Sequence, residues 1–143
     1  MDKILANCRV LVVEDEMLVL MLIEDMLSDL GCTSIASAAT VQKALALIEK
    51  QIFDFAMLDM NLNGQKSVPV ADALAAHGVP FVFSTGNSVD DTWTGYVDRP
   101  VIRKPFLYSQ LVAILSGLIP AERRQGFIVQ KLVTPILQKP GVS

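Results

Sequence analysis

Short runs of apolar residues, each ending at a polar residue, alternate along this chain with longer segments whose apolar residues recur at helical spacing. The first run, Cys8–Val13, is followed by three acidic residues and then by the amphipathic segment Met17–Leu30. A short continuous apolar run is typical of a strand that is buried on both faces of a parallel sheet. The alternation therefore predicts strand–helix units with right-handed crossovers and a parallel sheet.

The same pattern continues beyond the first unit. Further strands are predicted at Thr33–Ala38, Phe53–Leu58, Phe81–Ser84 and Val101–Arg103. Further helices are predicted after an N-cap at Thr40, at Val68–Ala76, and after an N-cap at Ser109. Five strands with their helices make an α/β fold: a doubly wound five-stranded parallel sheet, (βα)5, with helices on both faces.

The chain length of 143 residues fits one domain of ordinary size, which we place at residues 1–119. Hydrophobic residues make up 52% of the chain and charged residues 19%, a balance that excludes a disordered protein. Residues 120–143 form an apolar C-terminal extension that is too short to be a separate effector domain. Its side chains are expected either to pack back on the domain or to pair with a second subunit in a homodimer.

Several classes of protein are not expected from this composition. The longest apolar run, Met17–Ile23, is shorter than the roughly 18 residues of a membrane-spanning helix. No secretory signal is recognised, so a cytoplasmic protein without membrane contact is expected. The net charge of −3 offers no basic surface for nucleic acid. The two cysteines lack the spacing of a metal site and are expected to be free thiols.

The polar residues that end the predicted strands are the candidates for chemistry. Glu14 and Asp15 end the first strand, Asp59 the third, Thr85 the fourth and Lys104 the fifth. Ligands of open α/β sheets bind beyond the carboxyl ends of the strands, so all five side chains should meet at one rim. Each of three neighbouring carboxylates raises the pKa of the others, and a divalent cation removes this penalty. Ligands that are all oxygen favour Mg²⁺.

A carboxylate beside Mg²⁺ and a lysine can attack a phosphoryl group and form an acyl phosphate. Asp59 is the best candidate nucleophile because it ends the central strand, and the adjacent pair Glu14 and Asp15 suits the metal. Lys104 can meet the added negative charge as an ion pair, and the Thr85 hydroxyl can meet it as a hydrogen-bond donor.

Four short motifs stand in register at these strand ends. They are Glu14-Asp15-Glu16, Asp59-Met60-Asn61, Ser84-Thr85-Gly86 and Lys104-Pro105-Phe106. In this order they resemble the receiver domain of two-component response regulators, over about residues 8–118. The resemblance implies a flavodoxin-like fold with strand order 2-1-3-4-5.

The resemblance also implies a function. Asp59 would accept a phosphoryl group from a histidine kinase or a histidine phosphotransfer protein. Asp15 and Asp59 would hold Mg²⁺ directly, Glu14 would help through water, and Asn61 would offer its backbone carbonyl. Thr85 and Lys104 would contact the phosphate. A stand-alone receiver of this kind is not an enzyme beyond its own phosphorylation and dephosphorylation, and it signals by phosphorylation-dependent contact with a downstream protein.

The chain departs from the family pattern at two places. Val101 stands three residues before Lys104, where the family commonly has an aromatic residue that takes part in its usual readout. The loop after Asp59 has Asn63-Gly64 and lacks the common proline. The segment 81–86, together with the missing aromatic residue, resembles a receiver subgroup associated with alphaproteobacterial signalling.

Two rival functions share parts of this pattern. A magnesium-dependent phosphohydrolase of the haloacid dehalogenase type also uses an aspartate nucleophile on a parallel sheet, but its motif is Asp-x-Asp and this chain has Asn61 at the second position. A flavodoxin-like cofactor binder would need a Ser/Thr/Gly-rich phosphate loop after the first strand, and this chain has acidic residues there.

Overall fold

A computed structural model describes residues 4–86, 96 and 99–118. The predicted extension at 120–143 lies outside the described residues. The strands are β1 Arg9–Val13, β2 Ser34–Ala38, β3 Phe55–Asp59, β4 Asn61–Leu62, β5 Gln65–Lys66, β6 Phe81–Thr85 and β7 Val101–Arg103. The helices are α1 Met17–Asp29, α2 Val41–Lys50, α3 Val68–Ala76 and α4 Tyr108–Leu118. Over the described ranges, no helix has the length and hydropathy that a bilayer crossing requires.

Five of the strands form one parallel sheet in the order β2-β1-β3-β6-β7. The other two, β4 and β5, pair only with each other in an antiparallel ribbon. If only the five strands of this sheet are numbered, β6 and β7 become the fourth and fifth strands, and the order is the predicted 2-1-3-4-5. The doubly wound fold is therefore confirmed. β3 lies at the centre of the sheet, and Asp59 pairs with Ser84 at its carboxyl end.

The sheet separates two buried apolar layers. One layer joins alternate strand residues, such as Leu11 and Phe81, to α2 and α3. The other joins the remaining strand residues, such as Val12 and Met57, to α1 and α4. Every residue of β3 is buried, in agreement with the apolar sequence that precedes Asp59. Full burial of a large apolar side chain stabilises the fold by about 1.5–3 kcal/mol. The two layers therefore hold the strands, and the residues at their ends, in place.

Helix boundaries follow the predictions except at α4. The Thr40 hydroxyl accepts a hydrogen bond from the backbone N–H of Lys43 at 3.1 Å, as expected of an N-cap. The prediction that Ser109 caps the last helix is wrong. Leu107 holds the cap position, because its carbonyl accepts the first helical bond from Leu111 and its N–H donates to Oε1 of Gln110 at 2.7 Å. The Gln110 amide thus makes the half of a capping box in which the third helical residue accepts the N–H of the cap residue.

The turn after β3 is a two-residue hairpin between β4 and β5. Its loop residues Asn63 and Gly64 have φ angles of +53° and +83°. Positive φ at both central positions matches the twist of paired strands, and Asn-Gly is the sequence that adopts it most readily. The Asn63-Gly64 loop noted in the sequence is therefore this turn, and the two short strands that it joins were not predicted.

Replacing Gly64 with alanine is expected to lower the free energy of unfolding by about 1 kcal/mol, because an alanine at this φ is strained. No atom lies within 4 Å of the added methyl group, so the loss would come from the backbone alone. Urea unfolding followed by circular dichroism measures it. Gly117 is the matched control: it lies in α4 in equally open space, and Gly117→Ala should not lower stability. Equal effects of the two substitutions would contradict the assignment.

Candidate functional site

The carboxyl ends of β1, β3, β6 and β7 meet at one rim of the sheet and enclose an open pocket. The pocket is lined by Asp15, Glu16, Asp59, Asn61, Asn63, Gly64, Thr85, Gly86 and Lys104. The candidate side chains of the sequence, Glu14 among them, are therefore brought together, with Glu14 buried at the pocket's edge.

Three carboxylates form the acidic part of this site. Glu14, Asp15 and Asp59 each offer one oxygen, and these oxygens all lie within 4.8 Å of one another. Glu14 is 1% exposed and Asp59 is 6% exposed, so water screens their charges poorly. A donor set of carboxylate oxygens without sulfur or imidazole fits a hard cation such as Mg²⁺. The residues present therefore fit the metal that the family implies.

Lys104 is the cation that the fold itself supplies to these acids. Its Nζ lies 3.0 Å from Oε1 of Glu14, 3.0 Å from Oδ2 of Asp59 and 3.9 Å from Oε1 of Glu16. Burial lowers the pKa of Lys104, but hydrogen bonds to Asp59 and Glu14 outweigh burial and leave the pKa raised. Lys104 therefore stays charged and joins the ends of β1, β3 and β7.

One lysine does not compensate all the negative charge. Burial raises the pKa of Glu14 from 4.5 to about 7; the hydrogen bond from Lys104 opposes this shift, and the charge of Asp59 adds to it. Without a further cation, Glu14 thus holds a proton over much of the neutral range. An additional positive charge at this site would therefore favour the ionised form of Glu14.

Backbone N–H groups orient the three carboxylates. The N–H of Glu16 donates to Oε2 of Glu14 at 3.2 Å, and that of Asn61 donates to Oδ1 of Asp59 at 3.1 Å. The N–H of Asn63 donates to Oδ2 of Asp15 at 2.8 Å. The β4–β5 ribbon therefore positions two of the acids, a role that the sequence did not reveal.

Ser67 also helps to position Asp59, and the sequence did not indicate this role. It is fully buried between β5 and α3, and its hydroxyl donates to the backbone carbonyls of Asp59 and Met60. It thereby fixes the end of β3 at the residue that carries the central carboxylate. A serine directly before a helix suggests an N-cap, but here its side chain makes no cap hydrogen bond.

The remaining candidates lie around the acids. Thr85 is buried at the end of β6, and its carbonyl accepts the backbone N–H of Lys104 at 2.8 Å. The Lys104–Pro105 peptide bond is cis. Asn61 is exposed beside Asp59 and lines the pocket. Each of these residues therefore borders the space in front of the carboxylates.

Val101 stands where the family commonly has an aromatic residue, and the structure shows its surroundings. Val101 is half-buried at the start of β7 and packs against the α2–α3 layer. The ring of Tyr96 packs against the same layer, with its centroid 5.8 Å from that of Phe81 and 6.0 Å from that of Phe83. Its hydroxyl donates a hydrogen bond to Asp72 of α3. An aromatic side chain therefore occupies this side of the sheet, from a different place in the sequence.

Comparison with known proteins gives a consistent result. The family model for the response regulator receiver domain matches residues 10–116. The solution structure of SdrG from Sphingomonas melonis Fr1 is 43% identical and covers 84% of this chain and 100% of that chain, with a TM-score of 0.71. No match was found among curated proteins.

Two further solved structures are of an activated state and of a magnesium-bound state. The BeF3-activated conformation of SdrG from Pseudomonas melonis Fr1 is 44% identical and covers 80% of this chain and 98% of that chain, with a TM-score of 0.68. A sensor histidine kinase receiver domain from Pseudomonas aeruginosa, with a magnesium ion coordinated in its active-site cleft, is 26% identical. It covers 80% of this chain and 98% of that chain, with a TM-score of 0.69.

In metal-free buffer, stability should fall as the pH rises from about 5 to about 7. Glu14 loses its proton near 4.5 in the unfolded chain but near 7 in the fold, so in this range the folded state binds more protons. The contribution of this group is therefore present at low pH and lost as the pH rises, with a maximum slope of about 1.4 kcal/mol per pH unit. Urea unfolding at a series of pH values measures the slope.

Glu14→Gln is the control, because its neutral amide cannot titrate. The slope between pH 5 and 7 should be smaller in this variant than in the parent. An identical slope in both proteins would show that another group is responsible.

Proposed function

The chain belongs to the response regulator receiver domain family of two-component signalling, and on that premise we propose that Asp59 is the residue that accepts the phosphoryl group. The observation that carries the proposal is the contact of Lys104 Nζ with both Asp59 and Glu14 at 3.0 Å, at the rim where the third carboxylate also lies. The comparisons favour a receiver over a phosphohydrolase of the haloacid dehalogenase type.

The proposed reaction transfers a phosphoryl group from a histidine nitrogen of the donor to the carboxylate of Asp59. One carboxylate oxygen of Asp59 forms a bond to phosphorus, the bond from phosphorus to the histidine nitrogen of the donor breaks, and that nitrogen keeps the electron pair. The other ring nitrogen of the phosphohistidine carries a proton, so the products are an aspartyl phosphate and a neutral histidine. Asn61 N–H and Lys104 hold the two Asp59 oxygens in fixed directions, so little reorganisation is needed before attack.

The added phosphoryl group brings negative charge that the pocket must meet. Lys104 offers its ammonium group, and Thr85, at the end of β6, offers a hydroxyl and lines the same pocket. The acidic cluster would hold Mg²⁺ through Asp15 and Asp59, with Glu14 acting through water and Asn61 through its backbone carbonyl. Bound there, Mg²⁺ would neutralise the carboxylates and polarise the phosphoryl oxygens.

The partners follow from the same chemistry. Receiver domains work with histidine kinases and with downstream proteins, so the donor here would be a histidine kinase or a histidine phosphotransfer protein. The output would be contact with a downstream protein that binds the phosphorylated form. The chain would otherwise catalyse no reaction beyond forming and losing its own aspartyl phosphate.

Asp59→Asn should abolish labelling of the chain by acetyl phosphate in the presence of Mg²⁺, because an amide is not a nucleophile for phosphorus. Phosphate-affinity electrophoresis and intact mass measure the labelled fraction. Asp54→Asn is the matched control: Asp54 precedes the opposite end of the same strand, where it accepts the Arg9 N–H at 2.8 Å, a bond that an amide oxygen can also accept. Undiminished labelling of Asp59→Asn would contradict the proposal.

Mg²⁺ should raise the melting temperature of the parent chain and have a much smaller effect on Asp15→Asn, which lacks one carboxylate of the cluster. A ligand at 100 times its dissociation constant stabilises a fold by about 2.7 kcal/mol. Thermal unfolding with and without Mg²⁺ measures the difference, and Asp54→Asn should respond as the parent does. An equal response of Asp15→Asn would remove Asp15 from the metal site.

A further inference from the structure

The first two turns of α1 expose an unusually apolar surface. Met17, Leu18, Met21 and Leu22 are 66%, 80%, 52% and 46% exposed, and their spacing places them on one side of the helix. We call these four side chains the α1 patch. The opposite side of α1, with Ile23 and Leu27, is buried in the core. A contiguous exposed apolar surface of this kind is typical of a contact site, so we expect another protein segment to pack on the α1 patch.

The surface next to the α1 patch is acidic. On the exposed side of the last turn of α1 lie Asp25 and Asp29, and the chain has no lysine or arginine from residue 14 to residue 29. The rim acids lie at the other end of the helix. An occupant that fits this surface would therefore be apolar where it meets the α1 patch and basic where it meets Asp25 and Asp29.

The course of the chain brings one segment to this place. α1 and α4 pack in the same layer on one face of the sheet, through Ile23 and Leu27 on one helix and Leu111 and Leu115 on the other. Both helices begin at the rim and run towards the opposite edge. Leu118, the last described residue of α4, contacts that layer too. The chain therefore leaves α4 on the side of the molecule that carries the acidic end of α1.

The sequence that follows has the required chemistry in the required order. Arg123 and Arg124 come first, and seven apolar residues follow: Phe127, Ile128, Val129, Leu132, Val133, Ile136 and Leu137. Between residues 119 and 143, four basic residues, Arg123, Arg124, Lys131 and Lys139, stand against the single acid Glu122. The basic pair would reach Asp25 and Asp29 before the apolar residues reach the α1 patch.

We propose that the α1 patch is the docking surface for residues 123–137 of the same chain. α1 is about 20 Å long, and fifteen residues cover at least that length in either helical or extended backbone. The α1 patch adjoins the pocket of Asp59, because Met17 directly follows the pocket residue Glu16.

The test uses the full chain with ¹³C-labelled methionine methyl groups and a soluble paramagnetic probe. In the parent, the methyls of Met17 and Met21 should be protected, and Phe127→Asp/Leu132→Asp should increase their relaxation enhancement several-fold. Gln130→Asp/Gln138→Asp adds the same charge without removing apolar surface and should leave the protection intact. The buried methyls of Met57 and Met60 should stay protected throughout, which verifies that each variant is folded. Parent methyls as accessible as those of the apolar variant would overturn the proposal.

A charge exchange tests the orientation of the segment. Arg123→Glu/Arg124→Glu should expose the two methyls, and adding Asp25→Arg/Asp29→Arg should protect them again. Failure of this rescue would overturn the proposed orientation. Protection that is lost on dilution, together with a dimer in sedimentation, would identify a second copy as the occupant and would also overturn the proposal. These outcomes are independent of Asp59 labelling by acetyl phosphate, so failure of the proposed function and failure of the docking remain distinguishable.

Discussion

The repulsion among three carboxylates at one rim of the sheet is the constraint on which the rest of this structure depends. Glu14, Asp15 and Asp59 are brought within 4.8 Å of one another because the ends of β1 and β3 are adjacent in a parallel sheet. Lys104, which follows β7, compensates part of this charge through contacts of 3.0 Å with Glu14 and Asp59. Burial raises the pKa of Glu14, the hydrogen bond from Lys104 opposes this shift, and the charge of Asp59 adds to it. The carboxylate oxygens of this site therefore suit an additional hard cation.

The two apolar layers offset the free-energy cost of the clustered carboxylates. Clustered like charges destabilise a fold, and burial of large side chains on both faces of the sheet offsets that cost. Individual hydrogen bonds then orient the site: Ser67 binds the end of β3, and the N–H groups of Asn61 and Asn63 bind the carboxylates of Asp59 and Asp15. The fold thus supplies stability in the core and orientation at the rim.

The sequence predicted the parts that depend on local pattern and on the general rule for strand ends. Continuous apolar runs indicated buried parallel strands, and the acids, Thr85 and Lys104 at their ends indicated one rim; the sheet order and the shared pocket agree with both. The family resemblance rested on the same residues, and the match over residues 10–116 confirms it.

What the sequence did not predict depends on contacts between distant segments. The buried Ser67 hydroxyl binds a strand end eight residues away, which no propensity shows. The last helix begins after Leu107 and not after Ser109, because the side chain of Gln110, three residues into the chain from Leu107, reaches back to accept the Leu107 N–H. The ring of Tyr96 packs beside Phe83, whose strand partner is Val101, and its hydroxyl donates a hydrogen bond to Asp72 of α3, a contact between segments that are distant in the sequence.

The most direct measurement of the central claim is a ¹³C NMR titration of the Glu14 side-chain carboxyl, first without Mg²⁺ and then with saturating Mg²⁺. The structure predicts a midpoint near pH 7 in the metal-free protein and a much lower midpoint with the metal, since the cation supplies the charge that Lys104 leaves uncompensated. A carboxyl that titrates near its ordinary value of 4.5 and does not respond to Mg²⁺ would contradict the account.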